Sequence, residues 1–286
     1  MIDVVWDMET GDPDDFLTLL LLIGHPEVNL KAVTITPGTP DQIGLVRYAI
    51  AQFNLDIPVG AYNIEHPKQC VSKWHYDTYG NIPPSCDAEP GGEILLRYCD
   101  ENTTLITGCP LKNVGSAMKL NFKVGRLVAQ GGFAGEGVVP SEKQLDKFKG
   151  MVTCPTYNLN GDSKSALAAL SYSDINIRRF VSKNVCQGVY YDQKMHEYFA
   201  AVKDKSKSLA WIWQGMDVYL RSHQSGKKFH DPLAACCAID ESIATWAEVE
   251  LYREKGQWGS RLSPGSGTWI IIDYDSEKFI STLTAY

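Results

Sequence analysis

Residues 7–15, Asp7-Met8-Glu9-Thr10-Gly11-Asp12-Pro13-Asp14-Asp15, place five carboxylates in nine positions. Crowding like charges costs Coulomb energy. One Asp would suffice to cap a helix, so the other four need another reason. A bound cation removes the cost, and hard oxygen ligands suit calcium first and magnesium second. The stretch therefore reads as a metal site, with a solvated acidic loop as its alternative. Far along the chain, His230-Asp231-Pro232 has the residue types of a helix start, with Asp231 as cap and Pro232 in the first turn. Beside an acidic loop, the same His and Asp acquire a second use as site residues.

These residues need a frame. Ile2–Trp6 is a short apolar run before the acidic loop, and Phe16–Leu22 is an apolar run after it. Together they read as strand, loop and buried helix. Strands are expected at Val28–Thr36, Ile57–Val59, Thr103–Thr107, Arg126–Gln130, Asn184–Val189 and Thr268–Tyr274. Helices are expected at Ile43–Phe53, from Leu111, at Ser165–Ser171, Asp192–Val202 and Leu209–Arg221, and from Asp231 to Thr245. Residues 63–92, rich in Pro, Gly, His and aromatics, read as a long functional loop that contains His75. Trp211 and Trp213 are two apart on a helix and cannot share a face.

Alternation of strands and helices implies an α/β fold with a mainly parallel central sheet and helices on both faces. No repeat or low-complexity linker divides the 286 residues, so residues 1–286 are expected to form one domain. In such sheets ligands bind beyond the carboxyl ends of the strands. The acidic loop, Thr36–Thr39, Thr107–Pro110 and Gly131–Phe133 all follow strands and should converge there. Gly131-Gly132 lacks the G-x-G-x-x-G spacing of a phosphate cradle.

The net charge of −7 provides no basic footprint, so nucleic acid is not expected as a partner. No apolar run reaches the length of a membrane span, and Met1-Ile2-Asp3 starts a strand rather than a leader. Eight scattered cysteines without a C-x-x-C pair suggest buried thiols, Cys109 among them, in a reducing, cytoplasmic compartment.

Taken in order, these segments resemble the calcium-dependent inosine-uridine nucleoside hydrolase family. Asp7, Glu9, Gly11 and Asp14-Asp15 stand for its D-x-D-x-G-x-D-D hallmark. Thr107-Gly108-Cys109-Pro110-Leu111-Lys112-Asn113 is similar to its T-G-P-L-T-N segment, and Gln130-Gly131-Gly132 to its M-G-G turn. Tyr157–Asp162 resembles its E-F-N-x-x-x-D segment, and His230-Asp231-Pro232 its H-D-P. The resemblance implies a Rossmann-like nucleoside hydrolase fold and calcium held by Glu9, Asp15, Asp231 and the carbonyl of Thr107, with Asp7 and Asp14 beside it. It implies that Asp14 binds a ribose hydroxyl, that Asn158, Asn160 and Thr39 are substrate-binding positions, and that His230 sits by the leaving base. It also implies a homo-oligomer, a dimer or a tetramer.

Three positions depart from the pattern. Glu9 replaces an Asp and one extra residue lies between Gly11 and Asp14. Thr39 stands for an Asn, and Thr156 for a Glu that faces the 5′ end of the ribose. The longer side chain of Glu9 is expected to compensate for the insertion, and loss of the carboxylate at 156 to admit a 5′ substituent.

The expected reaction is hydrolysis of the N-glycosidic bond of a ribonucleoside or related ribosyl compound. It passes through an oxocarbenium-like sugar that carboxylates stabilise. A calcium-bound water, activated by a carboxylate, would attack. Glu9 is the expected base, with Asp14 and His230 as its catalytic companions. The alternatives are a binding protein that senses a ribosyl ligand without cleaving it, and a metal-dependent phosphatase. The phosphatase needs a nucleophilic Asp and a later Lys, which Asp14-Asp15 and H-D-P fit poorly.

Overall fold

In the computed structural model, which describes residues 1–286, Ile2–Met8 forms the strand β1 and is paired on both sides. The following strands are β2 (Val28–Ile35), β3 (Val59–Ala61), β4 (Glu89–Pro90), β5 (Thr104–Thr107), β6 (Val124–Gln130), β7 (Thr153–Cys154) and β8 (Ile175–Val181). Then come β9 (Tyr190–Tyr191), β10 (Lys227–Lys228), β11 (Ala244–Glu254), β12 (Gln257–Leu262) and β13 (Thr268–Tyr274). The helices are α1 (Pro13–Gly24), α2 (Pro40–Gln52), α3 (Lys73–Tyr79), α4 (Gly91–Tyr98), α5 (Lys112–Lys119) and α6 (Tyr157–Gly161). They continue with α7 (Ser163–Ser171), α8 (Lys183–Cys186), α9 (Gln193–Val202), α10 (Lys207–Ser222), α11 (His230–Ile239) and α12 (Ser276–Leu283).

Eleven strands form one sheet in the order β4-β3-β2-β1-β5-β6-β8-β13-β11-β12-β7. Pairing is parallel from β4 to β13 and antiparallel from there to β7. β9 and β10 make a separate two-stranded ribbon. The chain is a single α/β domain with a mainly parallel sheet, as its alternation of elements predicts.

The pleat of β1 sends alternate side chains to opposite faces. Val4, Trp6 and Met8 join the core beneath α1, α2, α10 and α11, while Val5 joins the core beneath α4, α5 and α7. Helices therefore cover both faces. α1 is buried from Pro13 to Leu22, because it lies between the sheet and the helices α10 and α11. Beyond its acidic first turn the helix is apolar on nearly every side, which suits that position.

Three expectations change. Asn184–Val189 is not a strand: Ser182 accepts a hydrogen bond from the amide of Asn184 and starts the short helix α8. The neighbouring strand is β8, whose Arg178 and Arg179 interrupt any apolar pattern. α11 ends at Ile239, and Ala244-Thr245 already belongs to β11. The segment 63–92 is not all loop, because α3 seats His75 in the core. No helix is long and apolar enough to cross a membrane, and all eight cysteines are free thiols.

Candidate active site

A cleft of about 390 Å³ opens at the carboxyl ends of the central strands, where open α/β sheets bind ligands. Glu9, Gly11 and Asp12 reach it from the loop after β1, and Asp14 and Asp15 from the first turn of α1. Gly108 follows β5, Gln130 ends β6, Tyr157 and Asn158 open α6, and His230 and Asp231 open α11. A hollow of about 620 Å³ at the opposite ends of the strands is larger. Of its three carboxylates, Asp3 and Glu241 are paired with Lys31 and Arg126 and Glu101 stands without an ion-pair partner, whereas the smaller cleft gathers five carboxylates with a histidine.

Asp14, Asp15 and Asp231 each offer a carboxylate oxygen within 4.8 Å of the others, and all three side chains are buried. Burial, then repulsion from Asp231, Glu9 and Asp14, pushes the Asp15 carboxyl well above the ordinary Asp range. Burial, then Asp14 and Glu9, does the same to Asp231. Burial, followed by Asp14 and Asp12, raises Glu9 to about 7. The Oδ1 of Asp231 is buried without any hydrogen-bond partner. A buried carboxylate oxygen left unsatisfied is costly, and a hard cation would satisfy it. Gly108 leaves the necessary room: a Cβ there would lie 2.7 Å from that oxygen and 2.6 Å from the ring of Trp6.

Asp14 is held from several sides. Its Oδ2 accepts the backbone N–H of His230 at 3.1 Å and of Asp231 at 3.3 Å. Its Oδ1 accepts from the ammonium of Lys227 at 3.1 Å. Lys227 also reaches Asp12 at 3.0 Å and the carbonyl of Lys228 at 2.9 Å. Burial opposes charge on Lys227, but attraction to Asp14 and Asp12 outweighs it and holds the ammonium charged beyond the usual lysine range. Asp12, one of the two residues between Gly11 and Asp14, thus has an ion-pair partner more than two hundred positions away.

Asn158 is fixed by its amide nitrogen, which donates to Gly108 O at 2.8 Å, Gln130 O at 3.1 Å and Gln130 Oε1 at 2.8 Å. The ring of His230 is kept neutral. Burial lowers it to about 4, with Asp14 opposing the shift and Lys227, Lys228 and Lys147 adding to it. Its Nε2 is buried without a partner.

The structure thus brings Glu9, Asp14, Asp15, Asn158, His230 and Asp231 together. It does not bring Asp7, Thr39, Asn160 or the side chain of Thr107 to the cleft lining. Asp7 lies in register with Thr34 and Thr107. It accepts from Thr34 at 2.7 Å, Asn113 at 2.9 Å and Thr107 at 3.3 Å, all inside the sheet. Thr39 caps α2 by a reciprocal pair of bonds with Gln42. Asn160 accepts from the indole of Trp258 at 3.0 Å and donates to Gly256 O at 3.0 Å. His75, Trp211 and Trp213 also lie elsewhere. His75 packs edge-on against Phe16 and Trp74, Trp211 stacks on Tyr79, and Trp213 stacks on His196.

Sequence reasoning passed over Asp12, Gln130, Tyr157 and Lys227 as site residues. Tyr157 is 74% exposed and lines the cleft. One signal for Lys227 was available: five crowded carboxylates call for a counter-charge, and a lysine pair precedes His230.

A family model described as inosine-uridine preferring nucleoside hydrolase matches residues 4–281. An uncharacterized protein of Aquifex aeolicus (strain VF5) is 25% identical over 287 aligned residues, covering 97% of this chain and 96% of its own. The pyrimidine-specific ribonucleoside hydrolase RihA of Shewanella sp. (strain MR-4) is 30% identical over 154 residues, 47% of this chain and 48% of that one. Among solved structures, a plant nucleoside hydrolase, PpNRh1, superposes with a TM-score of 0.73 at 18% identity, covering 99% of this chain and 98% of its own. A purine-preferring ribonucleoside hydrolase from Gardnerella vaginalis superposes with a TM-score of 0.68 at 15% identity, with the same coverage.

Proposed function

The chain belongs to the inosine-uridine preferring nucleoside hydrolase family, and from that premise we propose that it releases the base from a ribonucleoside or related ribosyl compound with calcium bound at Asp15 and Asp231. One observation carries the reading: the unpartnered Oδ1 of Asp231 beside the buried carboxyls of Asp14 and Asp15. The donor set is all oxygen, which suits a hard cation. Glu9 and the carbonyl of Thr107 complete the proposed set. When bound, calcium would supply positive charge for the ribose hydroxyls and for water.

The chain's own residues divide the remaining work. The Oδ1 of Asp14 keeps a second lone pair beside Lys227 to accept a ribose hydroxyl. Lys227 and two backbone amides fix its direction, so little ordering is left to the moment of reaction. Glu9, the carboxylate of the loop after β1 that lines the cleft, takes a proton from the attacking water. The water oxygen bonds C1′ as the N-glycosidic electron pair leaves with the base. Asn158 borders the sugar, and the neutral His230 offers Nε2 to the leaving base. We place the enzyme in the cytoplasm as a homo-oligomer, which light scattering checks.

The test is release of free base from a panel of purine and pyrimidine ribonucleosides, with calcium and with chelator. Calcium-dependent release that Asp231→Asn lowers by about a hundredfold or more supports the reading. No release from any compound, with ligand still raising the melting temperature, shifts the assignment to a ribosyl-binding protein. The engaged oxygens of Asp14 and the Thr at 156 favour that second reading.

A further inference from the structure

The chain carries an excess of negative charge, yet three lysines beside the acidic cleft have no carboxylate partner. Lys147 and Lys228 donate to the same neutral oxygen, Gln187 Oε1, at 2.5 and 3.0 Å. Lys183 donates to Pro155 O at 2.8 Å. Lys147 and Lys183 lie over one ring, Phe148, at 5.0 and 6.0 Å. The three ammonium groups thus occupy one neighbourhood. Partial burial, then repulsion from Lys228 and Lys183, lowers the pKa of Lys147.

This neighbourhood adjoins the cleft on two sides. Lys228 precedes His230 by two residues, and the charges of Lys228 and Lys147 both reach the His230 ring. Lys183 holds Pro155, whose successors Thr156, Tyr157 and Asn158 run into the cleft lining. The hydroxyl of Thr156 is buried and has no hydrogen-bond partner. Like charges gathered without a counter-ion are unfavourable until an anion joins them. Lysines act as point charges and suit an oxyanion of either phosphate or carboxylate type.

We propose that Lys147, Lys183 and Lys228 form an oxyanion subsite at the rim of the cleft, which receives an anionic group carried by the ribosyl substrate. The cleft is then two-signed, with acidic groups for the sugar and cation and basic groups for the substrate's anion. The anion is a phosphate monoester on the sugar or a carboxylate on the base. The proposal rests on the hydrolase reading only for the identity of the ribosyl part.

Uridine, uridine 5′-monophosphate and orotidine separate the cases. They are compared by base release and by thermal shift, with the wild type and with Lys147→Met and Lys183→Met, whose lysines bond to Gln187 and Pro155 and to none of the proposed catalytic groups. One of the two anionic compounds should be preferred over uridine by roughly tenfold, as a charge-assisted contact at a partly exposed site supplies. Which one is preferred identifies the source of the anion. Each variant should lose most of that preference while changing uridine turnover far less, and salt should erode the preference in the wild type. Lys183→Arg should restore it. Release from uridine with no anionic preference overturns the subsite and leaves the hydrolase reading standing. No release from any compound, with a lysine-dependent thermal shift by the anions, overturns the hydrolase reading and keeps the subsite. Variants that weaken all three compounds equally overturn the subsite.

Discussion

Lys227→Met removes the single ammonium group bonded to the acidic cluster and keeps most of the side-chain volume. The two ion pairs it breaks are unequal. Toward Asp12 the partner side chain is 53% exposed, whereas Lys227 and Asp14 are only 5% and 3% exposed. Solvent screens the first pair, which is worth less than about 1 kcal/mol. The second is buried, and removing one partner of a buried pair costs about 3–5 kcal/mol, because the other charge is stranded. With an unfolding entropy of about 2.1 cal/mol/K per residue over a chain of 286 residues, that cost lowers Tm by about 5–8 °C. Asp12→Asn should cost about 1 °C by the same conversion.

The assay is differential scanning calorimetry in chelator and in calcium, followed by kcat/KM on the preferred nucleoside. In the variant calcium should recover more of the lost Tm than it adds to the wild type, because the cluster has lost its internal cation. Asp14 also loses its third support, and kcat/KM should fall about a hundredfold, as for a misplaced binding group. A variant whose calcium-free Tm stays within about 1 °C of the wild type refutes the claim that Lys227 neutralises the cluster.

Glu9→Asp retracts the carboxylate from a loop that carries one extra residue, and kcat/KM should drop about a hundredfold even though Asp is the usual residue of the family pattern; unchanged turnover rejects the compensation. His75 is fully buried, with its pKa lowered to about 4 by burial. The unfolded chain therefore takes up a proton near pH 6.5 that the folded chain refuses until about pH 4. Stability falls by up to about 3 kcal/mol as pH drops through that window. The Tm profile of His75→Phe minus that of the wild type isolates this part from the opposite contribution of Glu9, and a constant difference between pH 7 and 4 contradicts it. Asn160→Ala strands the buried indole N–H of Trp258 and should cost about 1–3 kcal/mol in chemical denaturation with KM unchanged. A raised KM at unchanged stability would return Asn160 to substrate binding.

The family pattern and fold class were legible in the chain because their signals are local. A run of carboxylates after an apolar strand, an H-D-P opening a helix, and alternating periodicities each occupy a dozen residues or fewer. The parts that stayed hidden depend on neighbours distant in sequence. β8 carries two arginines, and only the sheet supplies the rings of Trp246 and Trp269 that flank Arg179 at 4.8 and 4.9 Å. The carbonyls of Ala169 and Tyr172 that receive Arg178 likewise come from outside the strand.

Within the site, the carboxylate run by itself does not rank Asp7 against Asp15, and the family resemblance implies Asp15 as a ligand with Asp7 beside the ion. Register separated them: Asp7 lies opposite Thr34 and Thr107 and spends its oxygens inside the sheet, while Asp15 lies on α1 facing Asp231. Thr39 and Asn160 have types suited to binding a sugar, but a helix cap and a buried indole occupy them. Lys227 shows the same division from the other side. Composition demands a counter-charge for five carboxylates, yet a sequence cannot say which of 27 basic residues provides it. Residue type and spacing determine which chemistry is available. Long-range packing decides which groups meet, because a hydrogen bond or a buried charge pair acts over a few ångströms of space regardless of separation along the chain.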